Sequence, residues 1–187
     1  MKRIVLAMTG ASGAALGLCM LKVLARREDL ETHLILSEAA RETLKLECGL
    51  SPEDLTDGPQ HCWDNRDLTA PPASGSWRHE GMLVVPCSIK TLSAVANSFA
   101  EGLIARAADV SLKEGRPLLL CVRETPLHAG HLELMQKAAR LGAILFPPVP
   151  AFYSRPTSLD EMILHLVGRM LARIGLANDL YPQWGET

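Results

Sequence analysis

The sequence of 187 residues lacks an excess of either charge: 19 lysines and arginines meet 21 acids, for a formal net charge of −2. That balance excludes the broad basic field that nucleic-acid binding calls for, and the one basic cluster, Lys22 to Arg27, falls on a predicted helix. No apolar run approaches the ~18–20 residues of a membrane span, and no signal-type apolar stretch with a small-residue cleavage site precedes the first strand-like segment. A soluble, cytoplasmic protein is expected. The five cysteines, Cys19, Cys48, Cys62, Cys87 and Cys121, are odd in number and form no CxxC pair, so neither a disulfide framework nor a zinc ribbon is supported. Internal repeats, low-complexity tracts and a linker to a second domain are missing too, so residues 1–187 read as one domain, 48% hydrophobic, with one sizeable core.

What is present is alternation. Residues 3–8 are strand-like, 13–26 place Leu16, Met20, Leu21 and Leu24 on one helical face, and 32–36 are strand-like again, a βαβ unit. Ser37 ahead of Glu38-Ala39-Ala40-Arg41 reads as an N-cap. Residues 51–77 read as an irregular excursion rich in proline, glycine and aspartate. Strands at 82–86, 117–122 and 143–146 then alternate with one or two helices over 92–113 and helices at 131–141 and 158–174. This order predicts an α/β fold, a parallel sheet with helices on both faces, whose right-handed crossovers bring the C-terminal ends of all strands to one ligand-binding rim.

The segment MTGASGAALG, Met8 to Gly17, follows the first strand. Its glycines are spaced GxxG with a further glycine at position 17, so it is neither the dinucleotide GxGxxG fingerprint nor a P-loop, which needs a lysine. Glycines there let the backbone approach an anion at a helix N-terminus, or simply make a tight turn. Three other strand ends carry similar chemistry: Ser37, the run Cys87-Ser88-Ile89-Lys90-Thr91, and Arg123-Glu124-Thr125. A dinucleotide would ask for an acid at the end of the second strand, where Ser37 stands, which favours a mononucleotide or flavin, and FMN suits the set.

The blocks MTGASGA, LSEAARETLKLE, PCSIKTLSAVA, RAADVSLKEGRPLLLCVRETPLHAGHLELM and PPVPAFYSRP together resemble the UbiX-type flavin prenyltransferases, also called the Pad1 or phenylacrylic acid decarboxylase-like group. The resemblance covers nearly the whole chain. It implies a Rossmann/flavodoxin-like three-layer fold, a homo-oligomer that is typically a dodecamer, and transfer of a dimethylallyl group from dimethylallyl monophosphate to N5 and C6 of reduced FMN. The product would serve a UbiD-type decarboxylase, in ubiquinone biosynthesis or aromatic-acid decarboxylation.

Carried over by the resemblance, FMN contacts fall on Gly10, Ala11, Ser12, Ser37, Ser88, Ile89, Lys90, Thr91 and Arg123. Dimethylallyl phosphate contacts fall on Lys113, Arg123, Tyr153 and Arg169, while Ser12, Glu47, Lys113, Glu124 and Trp184 match catalytic positions. Residues 175–187 are expected to form a tail that closes the active site. No metal is implied: His128 and His131 are spaced i, i+3 but find no third ligand.

Each assignment has an ordinary counterpart. Lys113 and Arg169 read equally as solvated helix charges, Arg123 and Glu124 as a surface ion pair, and Tyr153 as a half-buried core residue. As chemistry, departure of a monophosphate needs cations and hydrogen-bond donors around its oxygens, which Lys113, Arg123, Tyr153 and Arg169 supply without magnesium. Trp184, and more weakly Trp77, would wall an allylic cation. Glu124 or the departing phosphate would take the last proton. Because no His–acid pair stands near Ser12, that serine reads as positioning rather than nucleophilic. Lys113, Tyr153 and Arg169 need not meet in one subunit, so at least one is expected to come from a neighbour. Two alternatives remain: an FMN carrier or accessory subunit of a hydroxyarylic acid decarboxylase, and a flavin-dependent cysteine decarboxylase, whose PASANT-type motif PPASGS at Pro71–Ser76 resembles without its asparagine.

Overall fold

The computed structural model describes residues 1–55 and 58–185. Six strands, β1 (Lys2–Met8), β2 (Leu30–Leu36), β3 (His61–Asp64), β4 (Gly81–Cys87), β5 (Leu118–Val122) and β6 (Ile144–Leu145), form one sheet in the order β3-β2-β1-β4-β5-β6. All pairings are parallel. The helices are α1 (Ala14–Ala25), α2 (Glu38–Cys48), α3 (Ile89–Ala96), α4 (Leu103–Lys113), α5 (Ala129–Arg140) and α6 (Leu159–Arg173). No helix among the described residues is long and apolar enough to cross a membrane.

Side chains alternate across a strand, and here both faces are dry. Ile4, Leu6 and Met8 of β1 pack with α1, α2 and α6, whereas Val5 and Ala7 pack with α3, α4 and the single buried residue of α5, Ala138. Every residue of β4 and β5 is buried. This is the three-layer doubly wound arrangement expected from the alternation.

The excursion over 51–77 is not wholly irregular, because it contains β3, register-paired with His33 to Leu36 of β2. Its four residues, His61-Cys62-Trp63-Asp64, lie at the sheet edge, partly exposed, so no run or alternation of apolar residues marks them. Residues 92–113 resolve into two helices, separated where Ser98 and Gly102 take φ of 51° and 87°.

The strand order reverses between β1 and β4, so the crevice beyond their C-terminal ends is the ligand position of the fold. The tips of the strands there are fastened to one another. The Ser37 N–H donates to the Met8 carbonyl at 3.2 Å and the Arg123 N–H to the Cys87 carbonyl at 3.1 Å. Between them stands Thr9, 2% exposed, whose hydroxyl donates to the Pro86 carbonyl and accepts from the Ser88 N–H, both at 2.8 Å. The β4 ladder is irregular between Val84 and Cys87, and this hydroxyl fastens the end of that stretch. Gly17 lets α1 come down on the same point, since a Cβ would stand 2.5 Å from Met8 Cε and 2.6 Å from the Val85 carbonyl oxygen.

Replacing Thr9 by the isosteric valine strips the part-buried Ser88 N–H of its partner. We expect Thr9→Val to lower the unfolding free energy by about 1–3 kcal/mol with the far-UV circular dichroism unchanged, measured by urea titration.

Candidate functional site

The rim is assembled from four strand-to-helix turns. In the first, Gly10 lies against Ala39 in the first turn of α2, so that α2 crosses over the β1–α1 turn. The far end of α2 then delivers Glu47, whose Oε2 accepts from the N–H groups of Gly13 at 2.9 Å and Ala14 at 2.8 Å. A carboxylate of the chain itself thus occupies the first N–H groups of α1. Partial burial raises the pKa of Glu47, but the Ser12 hydroxyl, the Gly13 and Ala14 N–H groups and the charge of Arg123 outweigh it and hold the carboxyl below its ordinary range. Ser12, Glu47 and Arg123 thus form one charged group on the rim.

The second and third turns are phosphate-like cradles. Ser37 caps α2 by accepting from the Ala40 N–H at 3.1 Å, and Ser88 caps α3, accepting from the Thr91 N–H at 3.3 Å and donating to the Thr91 hydroxyl at 3.2 Å. A helix's first N–H groups find no partner within the helix, and those of Ile89 and Lys90 make no hydrogen bond among the described residues. Beside them are the Lys90 side chain and the exposed Arg123. Backbone donors, hydroxyls and two cations on one rim fit a phosphate monoester. In the fourth turn Glu124 is exposed and accepts from the Thr125 N–H at 2.9 Å.

The remaining residues lie elsewhere. Tyr153, half-buried, follows β6 and touches His165 of α6 and the C-terminal segment, where Trp184 stacks edge-on at 5.2 Å. Arg169, exposed on α6, lies over the Tyr181 ring at 5.6 Å. This second set joins an aromatic surface to a cation. Of the tail 175–187, the last two residues lie outside the described residues.

Lys113 belongs to neither set. It ends α4 just ahead of β5, at the edge of the sheet opposite the rim, and its Nζ donates to Glu114 at 2.5 Å. Strands of five to seven residues put the two edges roughly 17–23 Å apart. No hydrogen bond, ion pair or ring contact joins the three groups among the described residues.

Two features escaped the sequence reading. Thr9 looked like part of a turn, with nothing to show its two buried bonds. Near the N-terminal half of the sheet, Glu31 Oε1 meets His33 Nε2 at 3.1 Å and His61 Nε2 at 3.2 Å, three groups close enough to suggest a metal. The Trp63 indole N–H, however, donates to His33 Nδ1 at 3.2 Å, which leaves the proton of that neutral ring on Nε2, where a metal would need a lone pair. Arg3 pairs with the same carboxylate at 3.3 Å, and the cluster is an ion-pair network with stacked rings.

Comparisons with known proteins agree on what this chain resembles. The Flavoprotein family matches residues 1–150. The flavin prenyltransferase UbiX of Escherichia coli K12 is 52% identical over 186 residues, covering 98% of each chain. Among solved structures, AnUbiX (PadA1) in complex with FMN and dimethylallyl pyrophosphate superposes with a TM-score of 0.94 at 45% identity, covering 98% of this chain and 97% of that one. The dodecameric FMN-dependent UbiX-like decarboxylase from Escherichia coli O157:H7 gives a TM-score of 0.94 at 42% identity, covering 97% and 98%. With identity of this level over the full length and the same six-stranded fold, the chain belongs to the UbiX/PAD1 flavin prenyltransferase family, within the flavoproteins.

Proposed function

We propose that this protein is a flavin prenyltransferase that joins the dimethylallyl group of dimethylallyl monophosphate to N5 and C6 of reduced FMN. The observation that carries the reading is the presence of two separate anion-binding sets. A flavin carrier needs only the rim cradle of Ser37, Ser88, Thr91, Lys90 and Arg123. Tyr153 and Arg169, with Trp184 beside them, supply a second place for phosphate next to an aromatic surface, and Lys113 of a neighbouring subunit would complete it.

Bound reduced FMN would supply the electron-rich ring that receives the dimethylallyl group. Ser37, Ser88, Thr91 and the α3 N–H groups hold its phosphate, and Ser12 and Gly10 to Ala11 line the crevice beside it. Lys113, Arg123, Tyr153 and Arg169 surround the oxygens of the departing phosphate and stabilise the charge that builds there, with no metal in the step. Trp184 offers a π face to an allylic cation and screens it from water. Glu124 would take the one proton that the flavin loses on balance once both bonds have formed, the other ring proton being made good at the allyl double bond, and Glu47, ionised and fixed on α1, balances the charge of Arg123.

Assembly follows from the placement of Lys113. With that lysine at the edge opposite the rim, a complete site draws on more than one subunit, and the exposed Val149, Phe152, Leu159 and Trp184 provide apolar surface for contact between subunits. The dodecameric relative supports a homododecamer. The five free thiols support a reducing, cytoplasmic setting. A UbiD-type decarboxylase would consume the product.

Purified protein given reduced FMN and dimethylallyl monophosphate should yield prenylated FMN by absorbance and mass; no product, with FMN bound, would leave the carrier reading standing. Ser37→Ala and Arg123→Ala should purify with less FMN than wild type and unchanged circular dichroism. Glu124→Gln should bind FMN normally and turn over about 10²–10⁴-fold more slowly, followed by single-turnover absorbance. Lys113→Ala and Glu124→Gln chains, co-expressed, should regain activity that neither has alone, whereas a site built within one subunit predicts no recovery.

A further inference from the structure

The Tyr153 hydroxyl stands between two partners. It donates to the Pro182 carbonyl at 3.0 Å and lies 3.2 Å from His165 Nε2. A phenol has one proton and a carbonyl can only accept, so the proton points to Pro182 and His165 must present an N–H to the phenolic oxygen. His165 is thereby the Nε2–H tautomer. Its Nδ1 is buried and has no hydrogen-bond partner among the described residues.

The imidazole is unusually constrained for a side chain on a surface-layer helix. It is 6% exposed, with the Tyr153 ring edge-on at 5.6 Å and the Tyr181 ring at 5.3 Å. Burial, and then the charge of Arg169, push its pKa below the ordinary histidine value, so the ring is neutral at neutral pH. Arg169 follows four residues on, along the same face of α6. His165 therefore sits between the two groups assigned to the second phosphate position, touching one and facing the other.

We infer that His165 is a positioning residue for the reaction: by donating Nε2–H to the Tyr153 oxygen, it reserves the single phenolic proton for an acceptor on the opposite side. In the arrangement seen here that acceptor is the Pro182 carbonyl. When dimethylallyl phosphate binds, one of its oxygens takes that place, so the C-terminal segment and the substrate compete for one proton. A hydroxyl that accepts one bond while donating another is also the better donor, since such chains polarise each other. This inference rests on the function proposed above for Tyr153, and on the hydrogen-bond directions that only this tautomer allows.

The test combines a spectroscopic and a kinetic reading on the intact protein. The chain has two tyrosines, so the ring Cζ resonance of Tyr153 in carbon-13 tyrosine-labelled protein is assigned by its loss in Tyr153→Phe. His165→Leu should move that resonance, and His165→Gln, which can place an amide N–H near Nε2, should return it. His165→Asn, too short to reach, replaces the leucine variant should that one not fold. With FMN affinity unchanged, His165→Leu should raise the KM for dimethylallyl monophosphate about tenfold, the loss of one charge-assisted contact, and His165→Gln should recover most of it. The double variant Tyr153→Phe/His165→Leu should be no worse than Tyr153→Phe alone. A Tyr153 resonance indifferent to His165, or a further loss in the double variant equal to that in the single, would overturn the inference. Should wild-type protein form no prenylated product, the proposed function fails while the resonance still decides whether His165 holds Tyr153.

Discussion

The rim depends on a single buried hydroxyl. Parallel strands stop pairing where the chain leaves the sheet, and turns at that point would ordinarily drift apart. Thr9 prevents this by donating to the Pro86 carbonyl within the β4 irregularity and accepting from the Ser88 N–H just past it, which ties the β1 turn to the α3 N-terminus. The bonds from Ser37 to Met8 and from Arg123 to Cys87 extend the same fastening outward to β2 and β5. Four turns from distant parts of the chain thereby present their hydroxyls, N–H groups and cations in fixed relation, which is what recognition of a phosphate requires.

The charge arrangement on that rim separates two kinds of helix N-terminus. That of α1 is satisfied internally by Glu47, ionised and tied to Gly13 and Ala14, while the first N–H groups of α3 stay available beside Lys90. Of the two, only the α3 N-terminus has free donors and a cation to offer an added anion, which is why the proposed phosphate position lies there. The glycines of the first turn also serve packing, since Gly10 admits α2 and Gly17 admits the sheet.

Much of this was legible in the sequence because it is local. Alternating apolar runs mark five of the six strands, and a polar residue directly after a strand marks each rim turn, so Ser37, Ser88 and Arg123 read together as rim residues. β3 was hidden because four residues at an edge, three of them ionisable, carry no period. The separation of Lys113 from the rim could be suspected from chain order, but its distance from Tyr153 and Arg169 is a matter of packing. His165 reads in sequence as one more position on an amphipathic helix. Only the second partner of the Tyr153 hydroxyl, 29 residues away in the tail, shows which way its proton points.

Both margins of the sheet are short: β3 has four residues and β6 two. A margin that brief offers few unpaired backbone groups, and on β3 it is further occupied by the stacked His61 and Trp63 rings and the Arg66–Asp64 pair. The sheet is consequently a poor template for growth by strand addition, the route by which open β structures run into fibres. Helices and loops are left as the surfaces through which copies of this chain could meet.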